Sequence, residues 1–306
     1  MKRIAIVGAG AVGLYYGARL AMNGEVVRFL LRSDFEAVRM NGIRLDSVHG
    51  DARVQPVEAF RDVREMGPVD LVIVAWKATS NHLLESVIPP LCHENTQVLT
   101  LQNGLGNCER LAGIVGPERV LGGLCFVCLN RLTPGFVRHT AGGNVTVGEW
   151  QAEEGSARAD ALVKRFKAAG IPSRLSEDLR QAQWRKLIWN IPFNGLSIAE
   201  DGKTTDQLLA EPKIEAEIRA LMAEVIAGAG ALGLEIEPEV IDFEINRTRP
   251  MGAYRPSSMI DYLEGREVEF EAIWKIPLKQ ASEAGLPMPH LEQLCERIDD
   301  RLSARN

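Results

Sequence analysis

The chain begins with a glycine-rich turn between a short apolar run and a helical pattern. The apolar run covers residues 3–7, the turn follows at 8–13, and the helical pattern extends from Leu14 to Asn23. In a βαβ unit the first glycine of such a turn allows the bend, and the second lets the backbone approach a pyrophosphate. The third lets the helix pack closely on the strand, and N–H groups at the helix start face the anion. The alternative is a glycine-rich turn that binds nothing. We predict a dinucleotide site at Gly8, Ala9, Gly10, Ala11, Val12 and Gly13.

Strand and helix signals alternate through the first part of the chain and give way to helical signals alone in the second. Strands are predicted at Arg3–Val7, Val26–Leu31, Leu71–Trp76 and Val98–Gln102, with β-rich pieces at Val120–Leu129, Phe136–His139 and Val145–Gly148. Alternation of this kind indicates a parallel sheet with helices on both faces. After Asp178 long amphipathic helical patterns take over, including Glu267 to Ala284, which Pro277 should kink. The sequence therefore predicts an α/β protein with a Rossmann-type doubly wound parallel sheet over 1–178 and an all-helical domain over 179–306.

Composition excludes several classes of protein and partner. The 306 residues suit two domains, and the net charge of −6 without a long basic run argues against a nucleic-acid partner. No apolar run approaches the length of a membrane span, so we expect a cytoplasmic protein without a membrane partner. The five cysteines are scattered, and Cys125 and Cys128 lie in a strand-like run, which favours buried structural cysteines over a redox pair. The histidines lack metal-ligand spacing, so no metal site is predicted.

The residue after the second predicted strand indicates which dinucleotide binds. NAD sites usually place an acid there to accept hydrogen bonds from the ribose hydroxyls, and that carboxylate would repel the additional phosphate of NADP. Here the strand is followed by Arg32 and Ser33, and Asp34 comes two residues after Arg32. A guanidinium binds phosphate in a bidentate fashion. The sequence therefore favours NADP(H), the alternative being that Arg32 is a solvated surface charge.

A polar stripe stands out in the apolar segment 184–194. Lys186, Asn190 and Asn194 are spaced i, i+4 and i+8, so they share one face if the segment is helical. One amine and two amides among large apolar residues indicate a binding or catalytic face. A helix whose lysine simply reaches water is the alternative. Pro192 lacks the N–H that would bond to Ile188 and should kink this helix.

Polar residues also occur at predicted strand ends and helix starts elsewhere. Lys77 and Asn103 follow strands of the predicted sheet, at the carboxyl ends where ligands of such sheets bind. Ser257 and Ser258 begin a helical stretch, and Glu269 lies further along. Taken singly, each has an ordinary explanation: a loop residue, a helix N-cap or a solvated charge.

Together these features resemble the ketopantoate reductase (2-dehydropantoate 2-reductase) family. The resemblance spans nearly the whole chain and is carried by the following stretches: GAGAVG at 8–13, Arg32, WKAT at 76–79, QNGLG at 102–106, VRHTAGG at 137–143, WRKLIWNIPFN at 184–194, and the SSM at 257–259 with Glu269. The resemblance implies an NADPH-dependent oxidoreductase of pantothenate biosynthesis that reduces a 2-oxoacid, ketopantoate first among them. The alternatives are a related reductase of another branched 2-oxoacid and an NADP-binding regulatory protein without turnover.

The resemblance also implies roles for the matching residues. Lys186 would be the general acid and Glu269 would orient the reacting groups, although Glu267 and Glu271 compete for that role. Substrate would be held by Asn190, Asn194 and Ser258, with Asn103 between substrate and nicotinamide ribose. Lys77 would lie near the cofactor, beside the glycines and Arg32. A small-molecule 2-oxoacid is the expected partner, and a homodimer is left open.

Overall fold

The computed structural model describes residues 2–151 and 157–305. Within this range the chain forms two compact units. Among these described residues, the first unit comprises those up to 102 and those from 107 to 179, and the second comprises 103–106 and those from 180 onward. The short segment 103–106 thus packs with the second unit, although the residues before and after it in the chain belong to the first. Each unit has its own hydrophobic core.

The first unit is built on one mostly parallel sheet. Its strands are β1 (Arg3–Val7), β2 (Val26–Leu30), β3 (Ile43–Ser47), β4 (Ala52–Val54), β5 (Glu58–Phe60), β6 (Leu71–Val74), β7 (Gln97–Thr100), β8 (Val120–Thr133), β9 (Phe136–Glu149) and β10 (Ser173–Leu175). The order across the sheet is β4-β3-β9-β8-β7-β6-β1-β2-β5, and β10 also pairs with β9. Only β3–β4 and β8–β9 are antiparallel. The predicted α/β class with a Rossmann-type sheet is confirmed.

The pairing of β8 with β9 differs from the sequence prediction. Two short β-rich pieces, Phe136–His139 and Val145–Gly148, are parts of one long strand that forms a hairpin with β8 through Pro134 and Gly135. Register shifts interrupt this ladder, and Gly142 and Gly143 both have positive φ. Because bulges and glycines break the alternation of apolar side chains, the sequence pattern hides the continuity of the strand.

The helices of the first unit lie between its strands. They are α1 (Ala11–Met22), α2 (Phe35–Asn41), α3 (Leu84–Val87), α4 (Asn107–Val115) and α5 (Ala157–Ala168). The core strands β1 and β6 are apolar along almost their whole length because helices cover both faces of the sheet. The helix α3 is short, since a 3₁₀ stretch at Ala78–Leu83 precedes it.

The second unit is helical. Its elements are α6 (Leu179–Ala199), α7 (Thr205–Ala210), α8 (Pro212–Ala231), α9 (Val240–Thr248), α10 (Ser257–Leu263), a π-helical stretch (Glu271–Lys275), α11 (Ile276–Glu283) and α12 (Pro289–Ser303). Its core is built around Trp184 and Trp274, which are both fully buried. The pattern from Glu267 to Ala284 forms the π-helical stretch and α11, which follow one another without a break. Pro277 is the second residue of α11, just after the change from π-helix to α-helix.

Helix α6 runs through Pro192 without interruption. The carbonyl of Ile191 accepts a hydrogen bond of 3.0 Å from the indole nitrogen of Trp274. One helical turn further along, Gly195 packs so closely that an added Cβ would lie 2.7 Å from Leu294 and 2.8 Å from Trp274. The stretch after Asn194 is therefore part of the core of the second unit, packed against the π-helical stretch and α12.

The described residues also bear on disulfides, metal sites and membrane spans. None of the five cysteines forms a disulfide, and Cys125 and Cys128, which were expected to be buried, are half-buried on β8. Within residues 2–151 and 157–305, no group of three metal-ligating side chains is close enough to hold an ion. Over the same residues, no helix has both the length and the apolar character needed to cross a bilayer.

Candidate functional site

In the first unit the glycine turn forms an open cradle between β1 and α1. Gly8 has a φ of +93°, and a Cβ on it would lie 2.3 Å from the backbone nitrogen of Trp76. A Cβ on Gly13 would lie 2.3 Å from the carbonyl oxygen of Gly8, whereas a Cβ on Gly10 would meet no atom within 4 Å. Gly8 and Gly13 are thus required by packing, while Gly10 faces open space that a side chain would begin to fill.

The start of α1 is suited to an anion. Gly10 is its N-cap, no side chain caps it, and its first turn carries no acidic residue. The N–H groups of the first turn of a helix have no partner within the helix, and the helix dipole adds positive potential there. Ala9, Ala11 and Val12 are half-buried, so the turn is partly open to solvent. These features fit the pyrophosphate of a dinucleotide.

Arg32 lies just past the carboxyl end of β2, as predicted. It is exposed, and among the described residues no acidic side chain lies within ion-pair distance of it. The nearest acid in sequence, Asp34, is buried and bonds to Arg131 at 2.8 Å. Ser33 donates its hydroxyl to the same carboxylate at 2.9 Å. The guanidinium of Arg32 is therefore available for a phosphate.

An amide network that the sequence did not reveal lies beside Lys77. The side-chain oxygen of Asn81 accepts hydrogen bonds from Gln102 at 2.7 Å and from the indole of Trp76 at 3.3 Å. Its side-chain nitrogen donates to Asn107 at 2.8 Å. The network ties the loop after β6, which carries half-buried Lys77, to the end of β7 and the start of α4. It fixes the backbone that positions Lys77.

In the second unit the central contact joins Lys186 to Asn103. Nζ of Lys186 donates a hydrogen bond of 2.8 Å to Oδ1 of Asn103. The two residues come from α6 and from the segment 103–106, so a helix and a segment that are distant in sequence supply them. The amide oxygen of Asn103 is thus the acceptor for the ammonium of Lys186. The sequence named both residues as candidates but gave no reason to pair them.

The segment 103–106 is held in place by the stretch that follows Glu269. The backbone nitrogen of Leu105 donates to the carbonyl of Ala272 at 2.8 Å, and the Leu105 side chain is buried in the core of the second unit. Gly104 has a φ of +80°, and a Cβ on it would lie 2.3 Å from the same carbonyl oxygen. Only glycine allows this approach. The QNGLG motif therefore has a packing reason as well as a chemical one.

Asn194 connects α6 to the start of α10. Its Oδ1 accepts from the backbone N–H of Ser258 at 2.9 Å and, at 3.5 Å, from the hydroxyl of Ser257. Its Nδ2 donates to the carbonyl of Asn190 at 3.1 Å. Asn194 is only 1% exposed, so most of its hydrogen-bonding capacity serves to hold the N-terminus of α10 against α6. Asn190 and Ser258, both buried, are positioned by this contact.

Among the three glutamates that competed in the sequence, only Glu269 is buried. Glu267 and Glu271 are exposed, whereas Glu269 is 7% exposed and lies just before Phe270, the N-cap of the π-helical stretch. Burial of a carboxylate is costly unless it has partners, which is typical of functional carboxylates. The carbonyl of Glu269 accepts from the backbone nitrogen of Ile273 at 3.1 Å, within the turn that also presents Ala272 to Leu105.

Aromatic side chains border the polar stripe of α6. Trp189 stacks on Phe193 with ring centroids 5.0 Å apart, and Tyr254 lies 6.2 Å from Trp189. The indole nitrogen of Trp189 donates to the hydroxyl of Thr248 at 2.9 Å. Thr248 and Tyr254 lie far from α6 in sequence, so the segment pattern alone could not identify this border. It gives the stripe an apolar flank.

Family models and individual relatives both relate this chain to the ketopantoate reductases. The chain matches two family models, described as Ketopantoate reductase PanE/ApbA over residues 4–152 and Ketopantoate reductase PanE/ApbA C terminal over residues 178–301. A 2-dehydropantoate 2-reductase from Nostoc sp. is 40% identical over 301 residues, covering 97% of this chain and 94% of the relative. Another from Mesorhizobium japonicum is 31% identical and covers 89% of each chain.

Similar solved structures include proteins of the same name as these relatives. The crystal structure of a 2-dehydropantoate 2-reductase from Geobacter metallireducens is 44% identical, has a TM-score of 0.95, and covers 97% of this chain and 99% of that one. A D-mandelate dehydrogenase solved with NADH and anilino(oxo)acetate shares the fold at a TM-score of 0.91 and 22% identity, over 99% of each chain. The chain belongs to the ketopantoate reductase PanE/ApbA family of oxidoreductases with a Rossmann-like fold.

Proposed function

We propose that the protein reduces the ketone of a 2-oxoacid with NADPH, and that the substrate is ketopantoate (2-dehydropantoate), which becomes pantoate. The observation that carries this proposal is the hydrogen bond of 2.8 Å between Nζ of Lys186 and Asn103. It places an ammonium group on the face of α6 that also carries Asn190 and Asn194. Membership of the family and the names of the full-length relatives support the choice of substrate.

In this proposal the first unit holds the cofactor, which supplies a hydride when bound. Gly8, Ala9, Gly10, Ala11, Val12 and Gly13 would bind the pyrophosphate through backbone N–H groups, because Gly10 leaves the cradle open and the start of α1 has no cap. Arg32 would bind the 2′-phosphate of NADPH. Lys77 and Asn103 would complete the cofactor contacts.

The second unit would hold the substrate and supply the proton. Reduction of a ketone leaves an alkoxide, and the ammonium of Lys186 would protonate that oxygen and offset its developing charge. Asn103 would hold the ammonium in place. Asn190 and Ser258 would bind the hydroxyl and carboxylate of the substrate, and buried Glu269 would hydrogen-bond the substrate.

The contacts of Asn194 suggest a modified role for that residue. Because its amide already bonds to Asn190 and Ser258, we propose that Asn194 mainly positions these two ligands. A single further donor hydrogen on Nδ2 remains for the substrate. None of the five cysteines forms a disulfide, which is typical of a reducing compartment, so the cytoplasm stays the proposed location.

The experiment is oxidation of NADPH followed by absorbance, with ketopantoate and a panel of other branched and hydroxylated 2-oxoacids. Ketopantoate should give the highest kcat/KM. Turnover only with other acids would contradict the proposed substrate and leave a related reductase. Tight NADPH binding without turnover of any acid would contradict the enzymatic function and leave a cofactor-binding protein.

A further inference from the structure

The buried pair Asp34–Arg131 lies next to the proposed phosphate-binding residue Arg32. Asp34 follows Arg32 by two residues, and its carboxylate is 3% exposed. Oδ1 accepts from Nη1 of Arg131 at 2.8 Å, and Oδ2 accepts from the backbone N–H of Gly135 at 3.1 Å. Both partners belong to the β8–β9 hairpin, which is 97 or more residues away in sequence. The hairpin therefore holds and neutralises the acid nearest to the tip of β2.

From this geometry we propose that Arg131 is a specificity-determining residue for the cofactor and acts through Asp34. By binding the carboxylate, Arg131 prevents it from repelling a 2′-phosphate and from accepting hydrogen bonds from the ribose. This inference rests on the proposed function, namely that the protein prefers NADPH. Arg131 is thus a positioning residue, distinct from Arg32, which would contact the phosphate itself.

The distances along the chain make the charge of Asp34 relevant to the cofactor. Two residues span at most about 7 Å, which is shorter than the Debye length of about 8 Å at physiological ionic strength. A free carboxylate two residues from Arg32 would therefore act on a phosphate bound there without effective screening. The acid that selects NAD usually lies directly at the end of the second strand. Asp34 comes two residues after Arg32, and Arg131 would keep this nearby acid from acting against NADPH.

A second acid in this region, Glu36, is also paired with an arginine. Glu36, in the first turn of α2, pairs with Arg61 at 2.9 Å. Arg61 directly follows β5, the strand paired with β2, and its guanidinium also lies 4.7 Å from the ring centroid of Phe35. Both carboxylates around the start of α2 are therefore matched by an arginine. The positive charge of Arg32 is left uncompensated among the described residues, which favours a phosphate.

A purely structural role for Arg131 makes a different prediction. If the pair only anchors the hairpin to α2, then its loss should weaken NADPH and NADH to the same extent. If Arg131 contacts the phosphate directly, then removing Asp34 as well cannot restore the preference. The NADPH to NADH affinity ratio in R131M and in the double variant D34N/R131M separates these possibilities from the proposal.

The test is fluorescence titration of the full chain with NADPH and with NADH. R131M leaves the carboxylate of Asp34 uncompensated and should lower the NADPH to NADH affinity ratio about tenfold or more. D34N/R131M removes both charges and should return the ratio to within about threefold of the wild type. R138M is the matched control, since Arg138 on β9 pairs with half-exposed Asp46 at 2.8 Å, and it should leave the ratio unchanged.

Each outcome has a distinct meaning. An unchanged ratio in R131M, or a ratio in the double variant as low as in R131M, overturns the role of Arg131 while the preference of the wild type for NADPH stands. If R131M does not fold, then the NADPH to NADH affinity ratio of D34N provides the test. In D34N, Arg131 loses its carboxylate partner, and its positive charge should raise the preference for NADPH. A ratio that is equal or lower in D34N overturns the proposal. A wild type that binds NADH at least as tightly as NADPH contradicts the proposed function itself.

Discussion

Nζ of Lys186 and Oδ1 of Asn103 lie 2.8 Å apart, although 83 residues separate them in the chain. The contact exists because Leu105 is buried in the core of the helical unit and hydrogen-bonds to Ala272. An amide that accepts from the ammonium fixes the direction in which Nζ points. This arrangement is what general acid catalysis requires, since the proton must be presented at a defined position.

Replacement of Lys186 tests its role as the proton donor. Lys186→Ala should lower kcat by about 10²–10⁴-fold, because general acid catalysis typically contributes that factor. NADPH affinity should stay nearly unchanged, since the proposed phosphate contacts lie elsewhere. Steady-state kinetics and a binding titration measure both. If the variant keeps more than about a tenth of wild-type kcat while hydride transfer limits the rate, then another group donates the proton. Lys213→Ala, at an exposed position of α8, is the control.

Replacement of Arg32 tests the phosphate contact. Arg32→Ala should weaken NADPH about ten- to a hundredfold and NADH much less, because a charge-assisted hydrogen bond contributes about 1.5–3 kcal/mol. The dissociation constants of both cofactors provide the measurement. Equal losses for NADPH and NADH would show that Arg32 does not bind the 2′-phosphate. Arg39→Ala, at an exposed position of the neighbouring helix α2, should affect neither cofactor strongly.

The glycine turn allows stability and binding to be separated. A Cβ at Gly10 meets no atom within 4 Å, so Gly10→Ala should change the free energy of unfolding little and weaken NADPH binding by filling the cradle. Gly13→Ala should be strongly destabilising, because its Cβ would lie 2.3 Å from the carbonyl of Gly8. Urea unfolding and NADPH titration measure the two effects. Wild-type affinity in Gly10→Ala would argue against a phosphate at this position. Gly113→Ala, at an open position of α4, is the control.

Asn194 should matter for stability as well as for catalysis. Asn194→Ala leaves the buried N–H of Ser258 without an acceptor, which should cost about 1–3 kcal/mol in the free energy of unfolding. Asn194→Asp keeps the acceptor and should cost less. Urea unfolding gives both values, and Asn246→Ala on the exposed face of α9 should be nearly neutral. Stability unchanged in Asn194→Ala would contradict the positioning role.

Acid should destabilise the first unit through His139. Burial lowers the pKa of this imidazole below its usual 6.5, opposed by a hydrogen bond to the carbonyl of Ala141. The neutral ring contacts the hydroxyl of Ser47 at 2.9 Å, and that hydroxyl already accepts from Arg19 and from the backbone of His49. A depressed folded-state pKa contributes stability above the unfolded value, and this stability is lost as pH falls through the folded value.

The measurement is urea unfolding of the wild type between about pH 7.5 and pH 5. The free energy of unfolding should fall with pH below about 6.5. His139→Gln should reduce the slope of that fall, whereas His82→Gln, at an exposed position, should keep it. A slope in His139→Gln equal to that of the wild type would assign the acid sensitivity to other groups.

The sequence alone determined those features whose information is local. The turn at 8–13 predicted the β1–α1 unit, because its glycines, the preceding apolar run and the helical pattern are contiguous. The spacing of Lys186, Asn190 and Asn194 placed them on one face of α6. The resemblance to the ketopantoate reductases rested on several such local motifs, and the family comparison confirmed it.

Only the tertiary structure decided which distant residues meet. It buried Glu269 and left Glu267 and Glu271 exposed. It joined Asn81 to Gln102 and Asn107, which lie 21 and 26 residues away, and paired Asp34 with Arg131, which lies 97 residues away. Such contacts depend on how strands and helices pack, and periodicity along a chain describes only the neighbours within one element. The physical reason is that ion pairs and hydrogen bonds form between groups that are close in space, whatever their separation in the sequence.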